Sequence, residues 1–174
     1  MLEKIKHDFK GITWLLMALG IVLNGASALA VSKTSLPLYL DSIGTVFVAV
    51  VAGPWAGALT GLLTNVILGF VSPSYAPYWS VPLLIGFVTG FLANAGWFKR
   101  WWKVIAAGLI IAILAAVMSS LIAALVFGNF TFDLSYFLVK EPVDKVITTL
   151  IVYFVLKFLP KRFVSLFPRH ENVD

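Results

Sequence analysis

The chain lacks cysteine altogether and is poor in charged residues, which make up 12% of its 174 positions. Without cysteine it can form no disulfide, no thiolate nucleophile and no cysteine-ligated metal site. In an ordinary soluble domain about a quarter of the residues are charged. With 60% hydrophobic residues and a mean hydropathy of +0.97, the composition therefore excludes a soluble globular domain.

Catalytic motifs are also missing from the sequence. It contains neither the Gly-rich phosphate loop that ends in Gly-Lys-Ser/Thr nor a His-Glu-x-x-His zinc motif. Both histidines, His7 and His170, lie in the terminal tails, so no Ser-His-Asp arrangement is available on one side of a membrane. We therefore predict no enzyme, with no catalytic residue, no metal site and no cofactor in this chain.

Long apolar runs fill most of the sequence. A span of about 20 apolar residues crosses the hydrocarbon core of a bilayer, and only helices or closed barrels satisfy the backbone there. Gly53-Pro54 divides the longest run in two. We predict an all-α integral membrane bundle in a single domain, 1–174, with six transmembrane helices over about 12–31, 40–53, 54–71, 81–98, 104–127 and 143–159.

Lysine and arginine collect at alternate ends of these runs. This positive-inside pattern places both termini in the cytoplasm and predicts a multi-pass protein of the cytoplasmic membrane. Topology therefore explains the net charge of +5 without a nucleic-acid partner. The predicted outer segments hold only Lys33, Lys140 and Lys145, against ten cations in the inner segments: Lys4, Lys6, Lys10, Lys99, Arg100, Lys103, Lys157, Lys161, Arg162 and Arg169.

The three predicted outer loops are longer and more varied than the inner ones. The loop over 72–80 holds three aromatic residues and two prolines, and the loop over 128–142 leads into charged residues at the start of the last helix. Elaborate loops on one face predict a binding site that opens to that side. The candidate substrate-binding residues are Tyr39, Asp41, Asn65, Tyr75, Tyr78, Trp79, Tyr136, Asp144 and Lys145.

The aromatic candidates and Asp41 also have ordinary structural explanations. Tyr75, Tyr78 and Trp79 either anchor the chain at headgroup depth or form a stacking platform for a ring-shaped ligand. Asp41 precedes the second predicted helix, so we expect its carboxylate to cap the free amides there. Such a cap does not exclude contact with a ligand.

The charges at the start of the last helix allow two interpretations as well. Lys145 follows Glu141 by one turn, which predicts an i,i+4 ion pair. Charges just inside an apolar span are costly, however, and usually face a cavity or a partner, which keeps Asp144 and Lys145 among the candidates. The acids Asp41, Glu141 and Asp144 can share one outer site, but their spacing dictates no reaction.

Four polar residues lie deeper in the apolar spans. Interhelical hydrogen bonding is the ordinary role for Asn24, Thr64, Asn65 and Asn94, each such bond being worth about 1 kcal/mol or less. We expect this role for Asn94. For Asn24 and Asn65, which lie nearer the middle or the outer half, ligand contact is the alternative.

Small residues recur at every fourth position in several predicted helices, which lets neighbouring helices approach closely. Packing inside the bundle is the ordinary explanation, and docking of a second membrane protein on the first helix is a further inference. That helix has one line of Gly20, Asn24 and Ala28 and an adjacent line of Ala18, Val22, Ala26 and Ala30. The other stripes include Gly53, Gly57, Gly61, Gly69, Gly86, Gly90, Gly108, Ala112 and Ala116.

Three stretches of the sequence resemble one family. They read LLMALGIVLNGASALA over 15–30, LPLYLDSIGTVFVAVVAGPWAGALTGLLTNVI over 36–67 and EPVDKVITTLIVYFVLKFLPKRF over 141–163. Together they resemble the substrate-binding S component of energy-coupling factor (ECF) vitamin transporters, across nearly the whole chain. The segment from DSIGT to GPWAGA is most similar to the riboflavin- and cobalamin-type branch.

The resemblance implies a mechanism and a set of partners. Such S components bind a vitamin on the outer face, associate with a membrane scaffold subunit and two cytoplasmic ATPases that use ATP, and topple in the membrane to release their cargo. The family meets the scaffold through a small-residue AxxxA motif in the first helix. The matching positions are Ala26 and Ala30, with a degenerate match at Ala18 and Val22.

Two other functions compete with this one. A self-sufficient secondary transporter or small channel would place charges at mid-membrane depth and show an inverted repeat, whereas the charges here lie at the helix ends. A membrane-embedded enzyme would need clustered catalytic groups, which the sequence does not supply.

Overall fold

The computed structural model describes residues 2–34, 38–128 and 139–173. Within these ranges the chain is helical and has no β-strand, which confirms the predicted all-α class. The α-helices of the described chain are α1 (Leu2–Asp8), α2 (Thr13–Ser32), α3 (Ile43–Ala52), α4 (Pro54–Val71), α5 (Ser80–Asn94), α6 (Trp101–Phe127), α7 (Glu141–Phe158) and α8 (Lys161–Val164).

Each apolar segment of the sequence corresponds to one of the helices α2 to α7. Three of these, α2, α4 and α6, are long and apolar enough to cross a membrane, which indicates a membrane protein. The helices α3 and α5 are apolar but shorter. The 18 residues of α7 include Glu141, Asp144, Lys145 and Lys157, so this helix combines apolar faces with charge near both ends.

The helix predicted over 40–53 is shorter in the structure, because α3 begins only at Ile43. Leu40 has a left-handed backbone with a φ of 48°, a conformation through which a right-handed helix cannot continue. The amides of Tyr39 and Leu40 donate instead to Asp144 of α7. At about 1.5 Å per residue, α3 is about 15 Å long, half the thickness of a bilayer core.

The helix predicted over 81–98 also ends early, at Asn94. Gly96 has a φ of 76°, and a left-handed glycine is a common terminator of helices. A 3₁₀ turn, Trp97–Lys99, then leads into α6. Asn94 itself accepts a hydrogen bond from Asn172 at 3.1 Å, so it serves packing at this end of the bundle.

Helix α3 lies at the centre of the bundle. Its sequence, IGTVFVAVVA, is apolar on every side, which is typical of a buried helix. It packs against α2, α4, α5 and α7, and the side chains from Val48 to Ala52 are completely buried.

Helix α6 presents the opposite pattern, with an apolar face on the outside. This face is formed by side chains that follow one another at every fourth position. An exposed apolar face of this length is unusual on a soluble protein and suits contact with lipid. The exposed side chains are Leu109, Ile113, Val117, Leu121 and Leu125.

Glycine pairs allow the helices to approach closely. Gly20 of α2 faces Gly44 of α3, and Gly57 of α4 faces Gly86 of α5, so that a Cβ at Gly44 or Gly86 would collide with the backbone of the partner. Gly108 of α6 lies against α7 in the same way. At these positions the small-residue stripes are used for packing inside the bundle.

A buried ion pair joins the two terminal segments to the turn between α3 and α4. Gly53 has a φ of 106° and Pro54 is the first residue of α4, so the chain turns there without a loop. The Asp8 carboxylate accepts hydrogen bonds from the Arg169 guanidinium at 2.8 Å and from the backbone N–H of Trp55 at 3.2 Å. Asp8 and Arg169, called here the terminal ion pair, were not singled out from the sequence.

Candidate functional site

A polar cavity opens between the segment 38–42, the 3₁₀ turn Pro73–Tyr78 and the start of α7. Its volume is about 640 Å³, within the range of about 300–1,000 Å³ that is typical of small-molecule sites. Its wall combines aromatic, charged, polar and apolar side chains, among them Tyr39, Tyr75, Tyr78, Asp41, Glu141, Lys145, Asn65, Ser119, Ser120, Val81, Pro82 and Ile85.

Three carboxylates surround one ammonium group beside this cavity. Lys145 Nζ donates to Asp144 at 2.6 Å and to Ser42 Oγ at 3.1 Å. The same atom lies 3.4 Å from Asp41 and 3.9 Å from Glu141. The predicted i,i+4 ion pair of Glu141 and Lys145 is therefore present, but as part of a larger group. We call Asp41, Glu141, Asp144 and Lys145 the acidic cluster.

Asp144 holds the chain before α3 in place. It is completely buried, and one carboxylate oxygen accepts the backbone N–H groups of Tyr39 and Leu40, each at 2.8 Å. These two hydrogen bonds stabilise the left-handed conformation of Leu40 and fix the positions of Tyr39 and Asp41 at the cavity wall. Asp144 thus supports the site without lining the cavity.

Three tyrosines supply the aromatic part of the wall. Tyr75 and Tyr78 belong to the 3₁₀ turn, and Tyr39 lies in the segment before α3. Partial burial, and then the nearby carboxylates of Glu141 and Asp41, raises the pKa of Tyr39 above its usual value. Partial burial, followed by Asp41, raises the pKa of Tyr75 as well. These two phenols therefore stay protonated at neutral pH, and Tyr75 can donate a hydrogen bond to a ligand.

Asn65 adds a fixed polar group to the cavity wall. Its side chain is only 6% exposed, and its Nδ2 donates to the backbone carbonyl of Tyr78 at 3.1 Å, which orients the amide. Within the described part of the chain its Oδ1 accepts no hydrogen bond. Ser119 and Ser120 of α6 place hydroxyl groups on the same wall.

Asn24 serves the bundle rather than the cavity. Its Nδ2 donates to Thr45 at 2.9 Å and to Thr64 at 3.0 Å, and its Oδ1 accepts the N–H of Gly44 at 2.7 Å. The interhelical interpretation is therefore right for Asn24. The expected N-cap role of Asp41 is wrong, because the amides at the start of α3 are satisfied by Asn24 reaching across from α2.

The structure brings most of the sequence-predicted candidates to one place. Asp144 lies behind the wall, as described above. Trp79 is about half exposed and does not line the cavity, which leaves the anchoring interpretation for this residue. Tyr136 lies outside the described residues. The candidates on the cavity wall are Tyr39, Asp41, Asn65, Tyr75, Tyr78 and Lys145.

Some cavity residues were missed in the sequence. Ser119 and Ser120 form an adjacent polar pair inside the apolar helix α6, and that interruption was the available signal. Glu141 was interpreted mainly as part of a helix start, yet it reaches the cavity wall. Its participation depends on the position of α7 against the segment 38–42, which local patterns do not show.

A second recess, of about 680 Å³, runs along α7 from Ile147 to Leu159. The side chains that line it are all apolar. A surface of this kind suits lipid, but it has no polar group to fix the orientation of a specific ligand. The polar cavity is therefore the candidate site.

The fold and the cavity define a helical membrane protein with a polar site at one end of its bundle. In comparisons with known proteins, no family model, no curated protein and no solved structure matches this chain. Among the described residues, no group of three or more His, Asp or Glu side chains is arranged to hold a metal ion.

Proposed function

We propose that this chain is the substrate-binding S component of an ECF-type importer in the cytoplasmic membrane. The observation that carries the proposal is the polar cavity, whose tyrosines suit a ring and whose charged and amide groups suit polar substituents. The cavity lies at the opposite end of the bundle from the terminal ion pair and the basic termini. Under the positive-inside rule the end that holds the cavity faces outward, where a nutrient arrives.

We propose the helices α2 to α7 as six membrane spans, with both termini in the cytoplasm. The terminal ion pair supports this topology, because Asp8 and Arg169 meet at one end of the bundle. Helix α3 is shorter than the bilayer core is thick, but this does not exclude it as one of the six spans. Irregular backbone is tolerated at membrane depth where it is buried in protein, and Asp144 satisfies the amides of Tyr39 and Leu40.

The two small-residue lines of α2 support docking on a scaffold subunit. Gly20 and Asn24 are buried against α3 and α4. The adjacent line remains exposed on the outside of the bundle, and small side chains there allow a partner helix to approach closely. The proposed docking residues are Ala18, Val22, Ala26 and Ala30, all of which are exposed.

The cavity volume also bears on the size of the ligand. A space of about 640 Å³ suits a compact ring-shaped vitamin better than the much larger cobalamin. The sequence has no phosphate loop, so we assign ATP hydrolysis to the two cytoplasmic ATPase partners and no cofactor to this chain.

Purification of the tagged chain from gently solubilised membranes tests the assignment. The scaffold subunit and the two ATPases are expected to co-purify with it, and mass spectrometry is expected to detect a retained vitamin-like molecule. A lone protein that transports its ligand without nucleotide would contradict the proposal.

The docking face has its own test. Ala26→Trp and Ala30→Trp are expected to block assembly with the scaffold and to leave ligand binding unchanged, because the bulky side chain lies on an exposed face far from the packing contacts of Gly20. Leu121→Trp, on the exposed face of α6, is the matched control and should assemble normally. Normal assembly of both alanine variants would remove these residues from the docking face.

A further inference from the structure

A basic recess lies at the carboxyl-terminal end of α7, at the opposite end of the bundle from the polar cavity. Its volume is about 530 Å³, and its wall is formed by the end of α7, by α8 and by the carboxyl-terminal segment. Its polar side chains are Lys157, Lys161, Ser165 and His170, and no aspartate or glutamate of the described chain lines it. We call this space the basic recess.

The two lysines of the basic recess keep most of their capacity to bind an anion. Lys157 Nζ donates to the backbone carbonyl of Val173 at 3.4 Å, which leaves two of the three N–H donors of its ammonium group. Within the described residues the Lys161 ammonium makes no hydrogen bond and no ion pair. Glu171 lies 3.9 Å from the ring of His170 but pairs with neither lysine in that part of the chain.

The apolar recess along α7 meets the basic recess at its end, because Leu159 lines both. The apolar recess follows α7 from Ile147 to Leu159, which is about 18 Å at 1.5 Å per residue. One leaflet of the hydrocarbon core is about 15 Å thick. The apolar recess therefore has the length of one leaflet, and the basic recess lies where a headgroup would follow an acyl chain.

Two independent features thus match the two parts of one kind of ligand. The positive-inside rule explains why cations collect at this end of the bundle, but it does not predict that two lysines line one recess at the end of an apolar groove. Basic pockets beside membrane-spanning helices on the cytoplasmic side recognise anionic lipid headgroups. A phosphate ion would use only the basic recess, whereas a phospholipid would fill both.

We propose that the two recesses together bind one anionic phospholipid, with an acyl chain along α7 and its phosphate between Lys157 and Lys161. The hydroxyl of Ser165 and the ring of His170 lie on the same wall and can add hydrogen bonds to the phosphate. This site goes beyond the proposed function, because it requires a membrane but neither a vitamin nor an ATPase partner.

Native mass spectrometry of the purified full-length chain tests the class of lipid. The chain is titrated with phosphatidylglycerol and with phosphatidylcholine of identical acyl chains, so that only the headgroup charge differs. We expect phosphatidylglycerol to bind at least about 10-fold more tightly, since each lysine near the headgroup contributes about 5-fold. Inorganic phosphate and glycerol 3-phosphate, which lack acyl chains, are expected not to displace the lipid at equal concentration.

Substitutions locate the two parts of the site. Lys157→Gln and Lys161→Gln are each expected to weaken phosphatidylglycerol binding about 5-fold and to leave phosphatidylcholine binding unchanged. Lys99→Gln removes an exposed lysine of the 3₁₀ turn after α5 and is the matched control. Ile151→Trp fills the apolar recess and should weaken binding of both lipids, whereas Leu121→Trp, on the exposed face of α6, should not.

The comparison of the two lipids on the wild-type chain needs no variant, so it does not depend on the folding of a substituted protein. Equal binding of both lipids would overturn the inference, as would displacement of the lipid by phosphate alone. Phosphatidylglycerol affinity that survives the double substitution at Lys157 and Lys161, or that falls equally in Lys99→Gln, would also contradict it. So would a second copy of the chain that covers the apolar recess and excludes lipid.

Discussion

The two buried ionic groups described in this protein differ in their surroundings. In the terminal ion pair the buried Asp8 contacts Arg169 and accepts the N–H of Trp55, and the exposed Glu171 lies 4.0 Å from the same guanidinium. The acidic cluster places three acids within 4 Å of the Lys145 ammonium group. Only the acidic cluster borders the polar cavity.

This difference separates a structural role from a binding role. Asp8 and Arg169 are hydrogen-bonded to each other and do not line the polar cavity, so removal of this pair is expected to cost stability alone. The acidic cluster instead places the carboxylates of Asp41 and Glu141 on the wall of the polar cavity, where a ligand would meet them. We therefore assign the terminal ion pair to holding the termini on the bundle, and the acidic cluster to the ligand.

Asp144→Ala should have the largest effect, because it disturbs both the segment before α3 and the polar cavity that this segment helps to form. The change removes the closest partner of a buried ammonium and the acceptor for two backbone N–H groups. We expect a loss of about 3 kcal/mol in the free energy of unfolding, together with loss of ligand binding. Chemical unfolding in detergent, followed by a binding titration, measures both. Unchanged stability would show that Asp144 does not hold the segment before α3.

Asp8→Asn should lower the stability of the protein and leave ligand binding unchanged. It keeps the shape of the side chain but removes the charge that Arg169 contacts at 2.8 Å. We expect a loss of about 2 kcal/mol in the free energy of unfolding and an unchanged ligand Kd. The same two measurements apply, and a weakened Kd at normal stability would contradict the structural role of this pair.

Tyr78→Ala should have the smallest effect on folding and a clear effect on binding. Tyr78 lines the polar cavity, whereas its neighbour Trp79 does not. Loss of one aromatic face is expected to weaken ligand binding by about 1–1.5 kcal/mol, or roughly 10-fold. Trp79→Ala is the matched control and should leave Kd unchanged. Equal effects of the two substitutions would mean that the aromatic turn acts only as a membrane anchor.

Local patterns in the sequence predicted much of the helical architecture. The apolar runs, the break at Gly53-Pro54 and the aromatic turn over 72–80 each depend on residues that are neighbours in the chain. The predicted helix over 40–53 was too long, because composition cannot show that Leu40 adopts a left-handed backbone. Its conformation is stabilised by Asp144, 104 positions away.

The contacts that the sequence did not predict are long-range. Asp8 and Arg169 are 161 positions apart, and no periodicity connects them. The N-cap expected of Asp41 failed for the same reason, since Asn24 reaches the amides of α3 from another helix. Glu141 joins the cavity only because α7 packs beside the segment that carries Asp41. Side-chain chemistry identified the candidates, and tertiary packing decided their roles.

The central claim is that the acidic cluster serves ligand binding whereas the terminal ion pair serves stability. Native mass spectrometry of the full-length protein tests this claim most directly. The small molecule retained through purification is measured on the wild-type chain, on Asp41→Asn and on Asp8→Asn under identical conditions. We predict that the wild-type chain and Asp8→Asn carry the same ligand to the same occupancy, and that Asp41→Asn loses it. Equal occupancy in Asp41→Asn, or loss of the ligand in Asp8→Asn alone, would contradict the account.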